Sequence, residues 1–124
     1  MHGKVDDLPL IQDDGGLVLR GAEWGGMSVN INRFPPGWDL SPLLERLPGG
    51  GCTCPHFGYM IEGSWIIDYT DGTSETIDAG ESFYIPATHN GARSPEGALV
   101  AEFSPVDQLV PVMTDLAKLV DEMG

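Results

Sequence analysis

Glycine-bearing turns divide the second half of this chain into short apolar runs: Glu62-Gly63, Asp71-Gly72 and Ala79-Gly80. Glycine supplies the positive φ that tight turns need, and runs this short suit strands better than helices. The spacing predicts a meander of strands over 57–61, 64–69, 75–77, 82–85 and 98–103. Upstream, Leu17-Val18-Leu19 reads as a first short strand. Met27 to Phe34 alternates apolar and polar residues, so Met27, Val29 and Ile31 share one face of a half-buried strand, which Pro35-Pro36-Gly37 ends. If Glu62-Gly63 is a two-residue hairpin loop, Met60 faces Trp65, and Met60, Trp65, Ile67 and Tyr69 line one face with His56.

Two segments break this pattern. Leu40 to Leu47 is expected to form one or two helical turns, with Ser41 as cap and Pro42 at the first helical position. After Ser104-Pro105, a capping serine and a first-turn proline, apolar residues recur at helical spacing from Val106 through Leu109, Leu116 and Val120. This predicts a helix over 105–124 packed on the outside of the sheet and split or kinked at Pro111. Residues 1–15 are acidic and lack a period, so they read as a flexible arm, leaving 16–104 as the β domain. The 124 residues fit one domain with one core.

Charge narrows the partners. Nineteen acidic against six basic side chains give a net charge of −13, which repels nucleic acid and anionic membrane surfaces. No apolar run approaches the ~20 residues that span a bilayer, and the opening Met1 to Asp7 is not a signal peptide. A cytoplasmic protein is expected. In that compartment Cys52 and Cys54 point to metal or redox chemistry rather than to a disulfide, which would close almost no loop at this spacing.

The chemistry concentrates in Cys52-Thr53-Cys54-Pro55-His56. In an extended strand alternate side chains share a face, so Cys52, Cys54 and His56 would present two sulfurs and a nitrogen together. Two buried thiols and an imidazole without a metal are the plainer alternative.

Gly80-Glu-Ser-Phe-Tyr-Ile-Pro86 followed by His89 resembles the second sequence motif of the cupin superfamily, and Tyr59 to Gly63 resembles the end of the first. Within the superfamily the chain is most similar to small bacterial cupin-domain proteins with a Cys-Pro-His-aromatic-Gly-Tyr segment and a Glu-Phe-Ser-Pro ending, here Cys54 to Tyr59 and Glu102 to Pro105. The resemblance implies an all-β fold: a cupin-type jelly-roll or β-barrel, with a short helix before the first motif and a C-terminal helix. It also implies a homodimer, formed through a sheet edge. The usual cupin ligands, three histidines and a glutamate, are not all present. His56 occupies the glutamate position, Cys52 can occupy the second histidine position, and Gly50 and Gly91 replace the remaining histidines.

His89 shares strand parity with Phe83, Ile85 and Ala87, so a strand continuing to it would turn it inward. Cys52, Cys54, His56 and His89 would then form a tetrahedral set suited to Zn(II), with Fe(II) the second choice. Zinc implies Lewis-acid or water-activating chemistry on a small organic molecule inside the barrel; iron implies an oxygen-dependent oxidation. A non-catalytic binding module is the other reading, with a structural metal and a pocket lined by Met60, Trp65, Tyr69 and Phe83. Among further candidates, Glu102 turned inward would be a general acid or base, although Ala101 and Phe103 claim the inner face and place it outside. Tyr59 and Tyr84 could orient a ligand, Asp39 could reach the pocket mouth or serve a turn, and Arg20 or Arg33 could hold an anion or a surface ion pair.

Overall fold

A computed structural model describes residues 1–86 and 88–123. Nine strands among these residues form one curled antiparallel sheet: β1 (Leu10–Asp14), β2 (Leu17–Trp24), β3 (Met27–Phe34), β4 (Trp38–Asp39), β5 (His56–Tyr69), β6 (Ser74–Asp78), β7 (Ser82–Ile85), β8 (His89–Ser94) and β9 (Ala98–Pro105). Two helices complete the fold, α1 (Ser41–Leu44) and α2 (Val106–Met123). The all-β barrel with two helices is the expected architecture. No helix among the described residues is long and apolar enough to cross a membrane.

β5 organises the barrel. Its first part pairs with β7 and β9, its second with β6 and β8, so a single strand of 14 residues joins the two sides. The expected hairpin at Glu62-Gly63 does not form. The register with β9 shifts between Met60 and Glu62, and Gly63 takes φ 76° as a bend within the continuous strand. A Cβ on Gly63 would lie 2.0 Å from the Gly97 carbonyl oxygen, so the two backbones meet only because no side chain is there. The bulge also resets parity: Met60 points inward before it, Trp65 and Ile67 after it. The shared interior expected for these residues and Tyr69 is present, produced by a bulge instead of a turn.

Other differences have similar local causes. Residues 10–14, expected within a flexible arm, form β1 against β2, although every residue of β1 is exposed and leaves no burial pattern to read. Ser41 does not cap α1; its backbone N–H donates to the Asp39 carboxylate at 2.8 Å, which gives Asp39 a turn role on the surface. Pro111 does not split α2, which runs through it as one helix. Gly124, within the expected span of this helix, lies outside the described residues.

The core centres on Leu44, Met60, Ile67, Ile85 and Val100, each at most 2% exposed. Burying a side chain of this size contributes about 1.5–3 kcal/mol. Phe34, Trp38 and Trp65 close one end, with Phe34 and Trp38 ring centroids 4.2 Å apart. Leu109, Val112, Leu116 and Leu119 of α2 pack on this core, and α2 also touches α1. On β3 and β9 the inward set is Asn32, Phe34, Val100, Glu102 and Ser104. Met27, Val29 and Ile31 share a face as expected, and that face points outward with Ala101 and Phe103.

Candidate metal centre

Cys52 and His89 meet through the backbone first. They form an isolated antiparallel bridge: Cys52 N–H donates to the His89 carbonyl at 2.7 Å, and His89 N–H returns to the Cys52 carbonyl at 3.3 Å. Gly51 makes the approach possible, since a Cβ there would lie 2.8 Å from the His89 carbonyl oxygen. His56 opens β5 opposite Ile85 and reaches the same place from a third segment.

The donor atoms of Cys52, His56 and His89 all lie within 4.8 Å of one another, with Cys52 Sγ 3.9 Å from His56 Nε2. The imidazole centroids are 5.2 Å apart. His56 Nδ1 pairs with Ser104 Oγ at 2.7 Å, and His89 Nδ1 with the Pro86 carbonyl at 3.4 Å. A proton on each Nδ1 leaves each Nε2 lone pair free, the arrangement in which histidines bind metal. Zinc bonds of 2.0–2.3 Å separate tetrahedral donors by roughly 3.3–3.8 Å, so this cluster fits after a contraction of about an ångström.

Burial keeps both imidazoles neutral. It pushes His56 down to about 3, with His89 adding to the effect, and it also lowers His89. The Cys52 thiol is raised, chiefly by burial; the Cys54 backbone opposes this and the Glu102 carboxylate adds to it. A cation offsets such a penalty on a thiolate directly.

Cys54 is not part of this cluster, so the structure assembles three donors and not the expected four. The strand starts at His56, and the alternation that would align Cys54 does not extend back through Pro55. The Cys54 thiol donates to the Pro55 carbonyl at 3.4 Å, and burial followed by the neighbouring Cys52 raises it to about 11. Both cysteines are free.

Glu102 faces inward, contrary to its expected outward placement. It is 9% exposed and accepts a hydrogen bond from Asn32 Nδ2 at 2.8 Å. Burial raises its carboxyl to about 7, against the lowering effect of Asn32. Asn32 Oδ1 is buried without a hydrogen-bond partner. Tyr59 is 47% exposed on the outer face, away from the cluster, and Tyr84 also lies outside. Arg33 pairs with Glu62 on the surface at 3.5 Å, and Arg20 donates to the Asp6 and Leu8 carbonyls; neither enters the barrel. His2 is exposed.

Sequence reasoning missed Asn32 and misread Ser104, which serves β9 and His56 instead of capping the helix. The available signal was parity: Glu102 and Ser104 are two apart on one strand and share its inner face.

No protein-family model and no curated protein matches this chain. Solved structures do. An RmlC-like cupin from Shewanella frigidimarina is 19% identical with a TM-score of 0.58, over 83% of this chain and 88% of its own. Ectoine synthase from P. lautus is 12% identical with a TM-score of 0.61, over 85% and 77%. KdgF from Halomonas sp. is 18% identical with a TM-score of 0.55, over 81% and 90%. At these identities the likeness is one of fold.

Proposed function

We propose that this chain, a cupin by fold, holds one divalent metal ion through Cys52, His56 and His89 and uses it on a small molecule inside the barrel. The observation that carries this reading is the convergence of one sulfur and two nitrogens from three segments, with each Nδ1 already occupied. Sulfur with imidazole favours zinc, and three protein donors leave the fourth zinc position for water or substrate, as in catalytic sites. The cluster contains no carboxylate, so it suits a two-histidine, one-carboxylate iron oxygenase less well.

Zinc would supply Lewis acidity or an activated water there. Glu102, with its carboxyl near 7, is suited to accept or return a proton at neutral pH. Asn32 Oδ1 offers an unused acceptor to a hydroxyl or amine on the bound molecule. Tyr59 has no place in this reading. Among the structural neighbours, ectoine synthase is an enzyme by name, which supports a catalytic reading over a purely binding one. The protein acts as a soluble cytoplasmic homodimer in this reading, with neither nucleic acid nor membrane as partner.

Thermal unfolding with and without added zinc is the first test. Zinc held by the folded state alone raises the melting temperature, and raises it less in His56→Ala and His89→Ala. Equal melting temperatures with and without zinc in the parent protein would reject the metal. A non-catalytic binder would be stabilised by a small molecule that it returns unchanged.

A further inference from the structure

An antiparallel sheet that covers a core ordinarily turns apolar residues in and polar residues out. Over much of β3 and β9 the order is reversed. Met27, Val29 and Ile31 take the outer face with Ala101 and Phe103, while Ser28, Asn30 and Asn32 alternate onto the inner face with Glu102 and Ser104. Register arranges the inner residues in rows. Glu23, Ser28 and Ser104 form one row across β2, β3 and β9, which Ser104 continues to His56 at 2.7 Å. Asn30 and Glu102 form the next row, and Asn32 with Val100 the third. Glu23 is exposed, Ser28 and Asn30 are half-buried, and Asn32, Glu102 and Ser104 are buried. A polar wall thus leads from the rim of the sheet to the metal donors.

Buried polar groups are costly unless they are paired, and a buried carboxylate needs a cation as well. Asn32 Oδ1 has no partner. Glu102 receives a hydrogen bond from Asn32 Nδ2 at 2.8 Å, and no cation of the chain reaches it. Arg20 donates to the Asp6 and Leu8 carbonyls, Arg33 pairs with Glu62, and Arg93 pairs with Asp68 at 3.5 Å. Lys4, Arg46 and Lys118 are exposed. What the wall lacks is therefore a donor that carries positive charge. The metal position lacks the opposite. Zinc held by one thiolate and two neutral imidazoles keeps one positive charge and an open position, which suits an anionic oxygen.

We infer that the ligand is a small zwitterion, with its anionic oxygen group at the metal and its amine at Glu102 and Asn32 Oδ1. Ser104, beside His56, and Glu102 are two residues apart on β9, roughly 7 Å, so a spacer of about three carbon atoms joins the two groups. An alcohol in place of the amine would bring one donor and leave the Glu102 charge unmatched; an ammonium brings three donors and the charge. A second anionic group would meet Glu102 and Glu23 with no basic residue to offset them. This inference rests on the metal reading given above and names the class of substrate for that site.

Four zinc-binding hydroxamates that differ only at the end of a short tail test it: butyrohydroxamate, its 4-amino and 4-hydroxy derivatives, and succinohydroxamate, which ends in a carboxylate. Their affinities are measured by calorimetry on zinc-loaded protein whose metal content has been determined. The amino probe is expected to bind at least about tenfold tighter than butyrohydroxamate, the hydroxy probe within about threefold of it, and succinohydroxamate most weakly. Glu102→Gln should abolish the amino preference and keep the affinity for butyrohydroxamate; the parent series is decisive without the variant. With one equivalent of zinc bound, equal affinities for the amino and butyro probes, no binding of any probe, or a preference that survives Glu102→Gln overturns the inference and leaves the metal standing. Zinc content below about 0.2 equivalents rejects the metal reading itself, and the inference with it.

Discussion

Ser104 Oγ lies 2.7 Å from His56 Nδ1, a contact that reaches from β9 across to the first residue of β5. It fixes the His56 ring so that Nε2 faces Cys52 Sγ, and it links the barrel sheet to the candidate metal position. Removing such a partner typically costs 10–100-fold in metal affinity. Ser104→Ala is therefore expected to weaken zinc binding by about that factor, measured by competition with a chromogenic chelator, while Ser104→Thr keeps most of it. Equal affinity in all three proteins would remove Ser104 from the account.

The two cysteines should behave differently although they are two residues apart. Cys52 belongs to the donor cluster; Cys54 donates to the Pro55 carbonyl. With Co(II) as a spectroscopic stand-in, Cys54→Ser is expected to keep the near-ultraviolet thiolate-to-metal band, and Cys52→Ser to lose it. The reverse pattern would move the sulfur ligand to Cys54.

Two buried groups give opposite pH dependences in the metal-free protein. Glu102 has its carboxyl raised from 4.5 to about 7, so its contribution to stability is full below 4.5 and is lost as pH rises through about 7. The full effect is on the order of 3 kcal/mol. His56 is lowered from 6.5 to about 3, so its contribution is full above 6.5 and is lost as pH falls toward 3. Chemical denaturation of Glu102→Gln and parent protein between about pH 5 and pH 8 separates them. The parent should lose stability relative to Glu102→Gln as pH rises over that range. Parallel profiles would mean that Glu102 does not hold its proton in the fold.

Gly63 should be nearly irreplaceable. It has φ 76°, and a Cβ would fall 2.0 Å from the Gly97 carbonyl oxygen. Gly63→Ala is expected to destabilise the protein by about 2–4 kcal/mol, from the left-handed backbone together with the forced separation of two strands. Gly72 also has positive φ, at 89°, but nothing stands within 4 Å of its Cβ position, so Gly72→Ala should cost about 1 kcal/mol. Thermal or urea unfolding of the two variants compares them, and equal losses would deny the close approach at Gly63.

Much of the barrel was legible because glycine turns and strand alternation are local signals. The side of an alternating strand that faces inward is not a local property. Met27, Val29 and Ile31 were visible as one face, yet Asn32 and Phe34 take the interior of β3 because of what lies opposite them on β9. Glu102 was misjudged for the same reason: its apolar neighbours Ala101 and Phe103 belong to the outer surface. Gly63 shows a second limit, since a glycine with positive φ serves a hairpin turn or an in-strand bulge equally well and only pairing distinguishes them. His89 does lie beside Cys52 and His56, but not through the strand continuation used to place it, since β7 ends at Ile85 and His89 opens β8. The placement of Cys54 was not legible, because parity holds only inside a regular strand and β5 begins at His56.

The central claim is that Cys52, His56 and His89 share one metal ion. Its most direct test is zinc content by mass spectrometry after chelator dialysis, reloading and removal of excess metal. The account predicts about one equivalent in the parent protein and less than about 0.2 in His89→Ala, with unchanged circular dichroism. A parent protein that retains no zinc, or a His89→Ala variant that retains a full equivalent, would contradict it.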